Sequence, residues 1–227
     1  MPSSSSDSSS NPTQIIEHIV LLKVRPSAAP SAVTAMLRNL NSLVSLEPVL
    51  HISAGPISRC RSTSASLTFT HILHSRHRSK PHLTSYANHP THVTVVSNYV
   101  RPIVDDVMAV DWVADNFSGS AAVPPGSAMR LTVLKLKEGA AEKRGKSEVM
   151  RGIKEKFPSI EQLSVGENFS PERAKGYSIG AIAVLKGVAG LDSEWNEQKD
   201  KVINMEFVDD VVVLDYLVPP TVKLASL

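Results

Sequence analysis

Two adjacent carboxylate pairs, Asp105-Asp106 and Asp209-Asp210, are the side chains whose type and spacing first suggest chemistry in this sequence. Neighbouring carboxylates can hold a divalent cation through oxygen, or divide acid and base duties when their environments differ. Each pair, however, opens an apolar, β-branched-rich run, and the two runs repeat one another. Val104-Asp105-Asp106-Val107-Met108-Ala109-Val110-Asp111-Trp112 returns, 104 residues on, as Val208-Asp209-Asp210-Val211-Val212-Val213-Leu214-Asp215-Tyr216. An acid pair that precedes a buried strand in both copies fits a turn and a charged strand edge better than a reaction centre. Cys60 is the sole cysteine, so no internal disulfide forms, and with no Cys or His at zinc spacing it reads as a bystander in a Ser/Arg loop. The densest basic stretch, residues 74–80 (HSRHRSK), reads as a solvated loop.

The elements that must position any such groups are written twice. A chain of 227 residues with 42% hydrophobic and 20% charged residues and a formal net charge of +2 has the composition of a globular protein of two domains. The small basic excess, without aromatic platforms beside it, excludes a nucleic-acid surface, and no apolar run reaches the ~18 residues of a membrane span. Residues 17–24 read as a strand apolar on both faces, and Ala32, Val33, Met36, Leu37, Leu40, Leu43 and Val44 recur at helical spacing. Strands at 49–56 and 67–73, a short helix at 80–88, a further helical turn at 92–99 and the strand from Val104 complete one unit. The pattern restarts with a strand at 130–137, a helix striped by Val149, Ile153 and Phe157, strands at 160–167 and 176–185, a helix at 192–201 and the strand from Val208.

This order is β-α-β-β-α-β, the ferredoxin-like pattern. The division is a disordered Ser-rich arm at 1–13, a first domain at 14–115, a Gly/Ser/Pro linker at 116–127 with little to bury, a second domain at 128–218 and a tail at 219–227. Each unit lays both helices on one sheet face and leaves the other bare. The expected fold is therefore α+β, two ferredoxin-like domains packed sheet to sheet as an intramolecular dimeric α/β barrel. The linker makes that association intramolecular, and a further homodimer is compatible with it.

The same residues carry a resemblance. The opening His18-Ile19-Val20-Leu21-Leu22-Lys23, the Phe69-Thr70-His71 strand, and Tyr86-Ala87-Asn88-His89-Pro90-Thr91-His92 before the closing strand resemble the stress-response A/B barrel family of dimeric α/β-barrel proteins. The second half resembles it through residues 166–177 (GENFSPERAKGY) and its own closing strand. The pattern is most similar to plant members with two such domains in tandem, some of them peroxisomal. The terminal Ala225-Ser226-Leu227 is similar to a peroxisomal address, the cytoplasm being the alternative.

The resemblance implies site residues. The family includes a polyketide cyclase that uses a His and a Tyr for an aldol-type closure; His92 and Tyr86 stand at the matching positions, with His18 and His71 at those of the other pocket histidines. An imidazole near neutral pKa can take a proton from carbon beside a carbonyl while a phenol donates to the enolate oxygen. The plainer reading gives the same residues to helix ends and the core. In the second half Arg130 stands at the place of His18 and Ile179 at that of His71, and the His-Pro-x-His turn is missing, so one pocket per chain is expected. The resemblance also implies a weak magnesium site on the backbone carbonyls of Asn41, Val44 and Glu47, with no cofactor required. The first functional expectation is a non-enzymatic stress or defence protein; the second is a cyclase or lyase using His92 and Tyr86 on a small apolar ligand; the third is a partner-binding module on the outer helices. An open apolar pocket lined by His18, His71, Tyr86 and His92 would favour the second, a filled core the first, and an exposed apolar patch on the outer helices the third.

Overall fold

The computed structural model describes residues 14–62, 67–115, 117, 119–139, 160–185, 187–188, 191 and 207–220. The Ser-rich arm, the helices expected around 149–157 and 192–201, and the terminal tripeptide lie outside these residues.

Strand β1 (Gln14–Val24) is buried on both faces because its two residue sets meet different layers. Ile19 and Leu21 join one core cluster, while Ile16, Leu22 and Val24 join another beneath the helices. Helix α1 (Pro30–Ser42) begins with Pro30 in its first turn, where no amide is needed, and buries Met36 and Leu40. Next come β2 (His51–Ser62) and β3 (His71–His77). Helix α2 (Lys80–Asn88) is capped by the Ser79 hydroxyl accepting from the His82 amide. Helix α3 (Pro90–Val95) is capped by His89 Nδ1, which accepts from the Thr91 amide at 3.2 Å. A π-helical turn, Val96–Val100, leads into β4 (Val104–Asp115). The second half supplies β5 (Ala128–Leu136), β6 (Gln162–Glu167), β7 (Ile179–Leu185) and β8 (Val208–Leu217).

All eight strands form one antiparallel sheet in the order β4-β1-β3-β2-β8-β5-β7-β6. The first four and last four repeat one arrangement, so the expected tandem α+β barrel is what the chain forms. The halves join at two unequal seams. Strand β2 leaves β3 at Pro56 and continues along β8 through the pairs Ile57–Tyr216 to Ser62–Val212. The other seam is a single bridge, Trp112–Asn168, beside which the Phe169 amide donates to the Asp111 carbonyl at 2.9 Å. Inside lies a shared core that includes Val110, Trp112, Leu131, Ile182, Leu214 and Tyr216 from both halves. Each such side chain contributes roughly 1.5–3 kcal/mol by leaving water.

Three local expectations change. The third strand runs from His71 to His77, not 67–73, and His74, Ser75, Arg76 and His77 of the supposed solvated loop are buried. The reason lies across the sheet. Glu17 is fully buried on β1, and a buried carboxylate needs cations; His74 Nε2 donates to it at 2.7 Å and Arg76 Nε at 3.1 Å. Burial alone would raise the Glu17 carboxyl, but Arg76 and His74 outweigh it and hold the group at about 2. Cys60 sits in strand pairing with Leu214 rather than in a loop. The linker, finally, buries Phe117, over which the Arg76 guanidinium lies at 4.9 Å, and Val123, which enters the barrel core.

Candidate active site

A cavity of about 640 Å³ opens between the outer face of the first sheet and its helices. Its walls are apolar: Val20, Leu22, Leu40, Leu73, Leu83 and Val100 face it. Of its polar groups, Arg101, Asp105 and Asp106 line it towards the start of β4, and His18 and Asp111 meet further along the β1–β4 pair. His18 is opposite Asp111 in the β1–β4 register, and its Nδ1 meets Asp111 Oδ1 at 2.5 Å with both side chains buried. Burial would raise the Asp111 carboxyl, but the His18 hydrogen bond and charge, Ser170 and Arg173 bring it below its ordinary value. An ionised Asp111 accepts from Nδ1, which fixes the ring and leaves Nε2 as the atom that can exchange a proton with a ligand.

Helices α2 and α3 bring two further groups to the same place. Tyr86 is 1% exposed, and its hydroxyl has no hydrogen-bond partner in the protein. Burial holds its phenol well above the usual range, so it is a neutral donor. His92 packs on it with ring centroids 4.6 Å apart, and its Nδ1 donates to the Ala87 carbonyl at 2.9 Å. That bond makes the other ring nitrogen, Nε2, a lone-pair acceptor. Burial lowers the His92 pKa, an effect the Ala87 bond only partly reverses, so the neutral, basic form is favoured.

The structure thus brings His18, Tyr86 and His92 together and leaves His71 out. His71 is half-buried at the far end of β3, opposite Leu22, with its Nδ1 2.9 Å from the Thr70 hydroxyl. The histidine of β3 that reaches the cluster is His77, whose ring lies 4.9 Å from Tyr86 and 6.3 Å from His18. Its Nδ1 donates to the Pro48 carbonyl at 2.9 Å and its Nε2 accepts from the Ser75 hydroxyl at 3.0 Å. Burial lowers it to about 4. With both nitrogens engaged, His77 supports the Tyr86 ring and does not titrate near neutrality.

Besides His77, the sequence reading missed Asp111 and Arg173 at this site. Asp111 stands in the repeated strand, where an acid inside an apolar run is the signal of a buried partner. Arg173 comes from the other domain. Strand β6 stops after Glu167, and a loop with a 3-10 turn at Pro171–Ala174 folds over the first-domain pocket, lining it with Phe169, Ser170 and Arg173. Phe169 lies under the Lys80 ammonium at 4.2 Å, and Arg173 Nη1 donates to Asp111 Oδ2 at 3.4 Å. The pocket is therefore built by both halves.

At the corresponding place in the second half the pair is Arg130 and Asp215, opposite one another in the β5–β8 register as His18 and Asp111 are in β1–β4. Arg130 donates to Asp215 through Nε at 2.8 Å and to the Leu191 carbonyl through Nη2 at 2.6 Å, and Arg61 adds a bond to Asp215 at 3.0 Å. A guanidinium held this way is a fixed cation, not a proton exchanger.

The acid pairs behave as edge charges. Asp105 binds Arg25 at 2.6 Å, Asp106 binds Lys175 at 2.8 Å, Asp209 lies 3.6 Å from Lys135, and Asp210 accepts from the Tyr177 hydroxyl at 2.6 Å. Among the described residues no group of three or more His, Cys, Asp or Glu could hold a metal. Of the backbone carbonyls of Asn41, Val44 and Glu47, that of Asn41 accepts from the Leu43 amide where α1 passes into the 3-10 turn at Leu43–Ser45. Among the described residues no helix is long and apolar enough to cross a membrane.

The model of the stress responsive A/B barrel domain matches residues 16–114 and again 129–218. A stress-response A/B barrel domain-containing protein of Arabidopsis thaliana is 50% identical over 230 residues, covering 97% of this chain and 85% of its own. A second Arabidopsis protein of the same description is 43% identical over 91% of this chain and 98% of its own. Among solved structures, a Fusobacterium nucleatum protein provisionally described as a monooxygenase superposes with a TM-score of 0.61 over 91% of this chain and 92% of its own. At 10% identity that likeness is one of fold alone.

Proposed function

The chain belongs to the stress responsive A/B barrel family, and on that footing we propose that its first domain binds a small apolar carbonyl compound and moves a proton at the carbon beside the carbonyl. The observation that carries this reading is Tyr86, which lines a 640 Å³ cavity beside His92 with its hydroxyl buried, neutral and, among the described residues, without a protein partner. A buried hydroxyl left unpaired costs about 1–3 kcal/mol, a cost that a ligand oxygen removes. Of the four residues whose open apolar pocket was to favour the enzymatic expectation, His18, Tyr86 and His92 line the cavity and His71 does not, which supports that expectation in part. Among the described residues the exposed large apolar side chains, Val44, Val93, Val107, Val188 and Leu217, stand on different segments, which gives the partner-binding reading no comparable support there.

In this proposal His92 Nε2 takes the proton from carbon, and Tyr86 donates to the oxygen as it gains enolate charge. The carbon can then attack a second carbonyl of the same molecule. The new carbon–carbon bond forms as that carbonyl becomes an alkoxide, which recovers the proton from His92, an aldol-type closure with no net redox change. His18, oriented by Asp111, is a second proton carrier at the same end of the cavity. The test is solvent exchange on nonan-2-one in heavy water, followed by loss of the proton signals flanking its carbonyl. Wild type should exceed buffer, and His92→Ala and Tyr86→Phe should each lose about 10²–10⁴-fold. A wild-type rate equal to that of buffer, or variants as fast as wild type, would refute it.

A further inference from the structure

We propose that the β6–β7 loop makes the first-domain pocket selective for an apolar chain that ends in a carboxylate, with Arg173 as the anchor. This rests on the pocket reading above and adds the class of ligand. Arg173 lines the cavity, yet its side chain is 58% exposed, so its donors remain open to the cavity mouth. Its contact with Asp111 is 3.4 Å long, whereas Asp111 is held by His18 at 2.5 Å. Asp111 thus has its partner without Arg173, and a guanidinium carries five N–H donors in a fork that matches a carboxylate.

The rest of the mouth suits an anion. Asp105 and Asp106 line it but are compensated by Arg25 and Lys175, and Arg101 lines it as well. The walls behind are leucine and valine, with Phe169 of the same loop closing the roof. An uncharged apolar ligand would leave the guanidinium unused, and an ammonium would face it directly. Lys80 of α2 lies on the Phe169 ring and Lys175 on Asp106, so among the described lining residues Arg173, with Arg101, supplies the guanidinium donors for a negative charge. At the corresponding place among the described residues of the second half, Arg130 and Arg61 instead converge on Asp215. The second domain's part in the site is to lend a cation to the first.

The experiment is titration calorimetry of the full chain with decanoate, 1-decanol and decylammonium, on wild type and Arg173→Met. The expected result is decanoate binding at least tenfold more tightly than decanol, and decylammonium more weakly than either. In Arg173→Met the advantage of decanoate should vanish while decanol binding stays within twofold. If that variant does not fold, wild type alone decides: raising salt from low to high ionic strength should weaken decanoate and spare decanol. Equal binding of decanoate and decanol, or an advantage that survives Arg173→Met, overturns the carboxylate anchor but leaves the pocket. No binding of any of the three overturns both the anchor and the pocket reading.

Discussion

Tyr86 offers the sharpest separation between a packing role and a working one. Its ring is held by His77 and His92, while its hydroxyl bonds to nothing in the protein. Tyr86→Phe removes an unsatisfied polar group and keeps the ring, so unfolding free energy should stay level or rise by about 1 kcal/mol. Denaturant unfolding checks this; a loss of about 2 kcal/mol or more would mean that the hydroxyl has a structural partner. His18, Tyr86 and His92 were legible because their spacing matches a family pattern. His71 was not separable from His77 on those grounds, since both are β3 residues on one face, and only the register decides which stands near His18. Asp111 and Arg173 were hidden for different reasons. The acid looked like part of a strand repeat, and the arginine lies 62 positions away in the other half. Glu17 was in plain view: one carboxylate in a run buried on both faces demands hydrogen-bond donors and a cation, and the basic stretch supplies them as His74 and Arg76.

Among the elements, the contacts of the two closing strands show how the halves are keyed. The Trp112 indole of β4 lies over Gly166 of β6 and Gly180 of β7, which pair with each other, and its Nε1 donates to the Ser164 hydroxyl at 3.0 Å. Tyr216 of β8 lies in the same way against Gly55 of β2. The apolar repeat announced the strands, but the glycines gave no warning, because their purpose is to leave room for a ring from the other half. A β-carbon on Gly180 would come 2.5 Å from Trp112 Cε3, and the fully buried indole has nowhere to retreat. Gly180→Ala should therefore cost about 2–4 kcal/mol by overpacking. The loss would appear as a lower denaturation midpoint with shifted Trp fluorescence; a wild-type midpoint would mean that the seam yields easily. The limits of β2 and β3 were misplaced because Gly55-Pro56 resembles a strand end. It is the corner where β2 passes from one half-sheet to the other.

For the molecule as a whole, the buried imidazoles set the response to acid. Burial lowers His51 to about 3 and His77 to about 4, while both titrate near 6.5 when unfolded. Between those limits the unfolded chain binds protons that the folded chain refuses, so stability is full above pH 6.5 and falls as pH drops toward 4. Each group contributes a slope of about 1.4 kcal/mol per pH unit. Glu17, lowered to about 2 from 4.5, adds a loss of the same sign below pH 4.5. Urea unfolding at about pH 7, 6 and 5 should show a decline of at least about 2–3 kcal/mol per unit below about 6.5, smaller by about 1 kcal/mol per unit in His51→Gln. A flat profile would mean that these imidazoles are not held neutral.

The unequal seams have one more consequence. A dimer of identical chains must make its two junctions alike, because symmetry repeats every bond. A fused chain is released from that rule, and this one uses the freedom: a five-pair ladder holds β2 to β8, while one bridge and the folded-back loop join β4 to β6. The seam with the single strand bridge is also the one whose loop carries Phe169 and Arg173 over the cavity, so the cavity takes part of its wall from the other half on one side of the barrel.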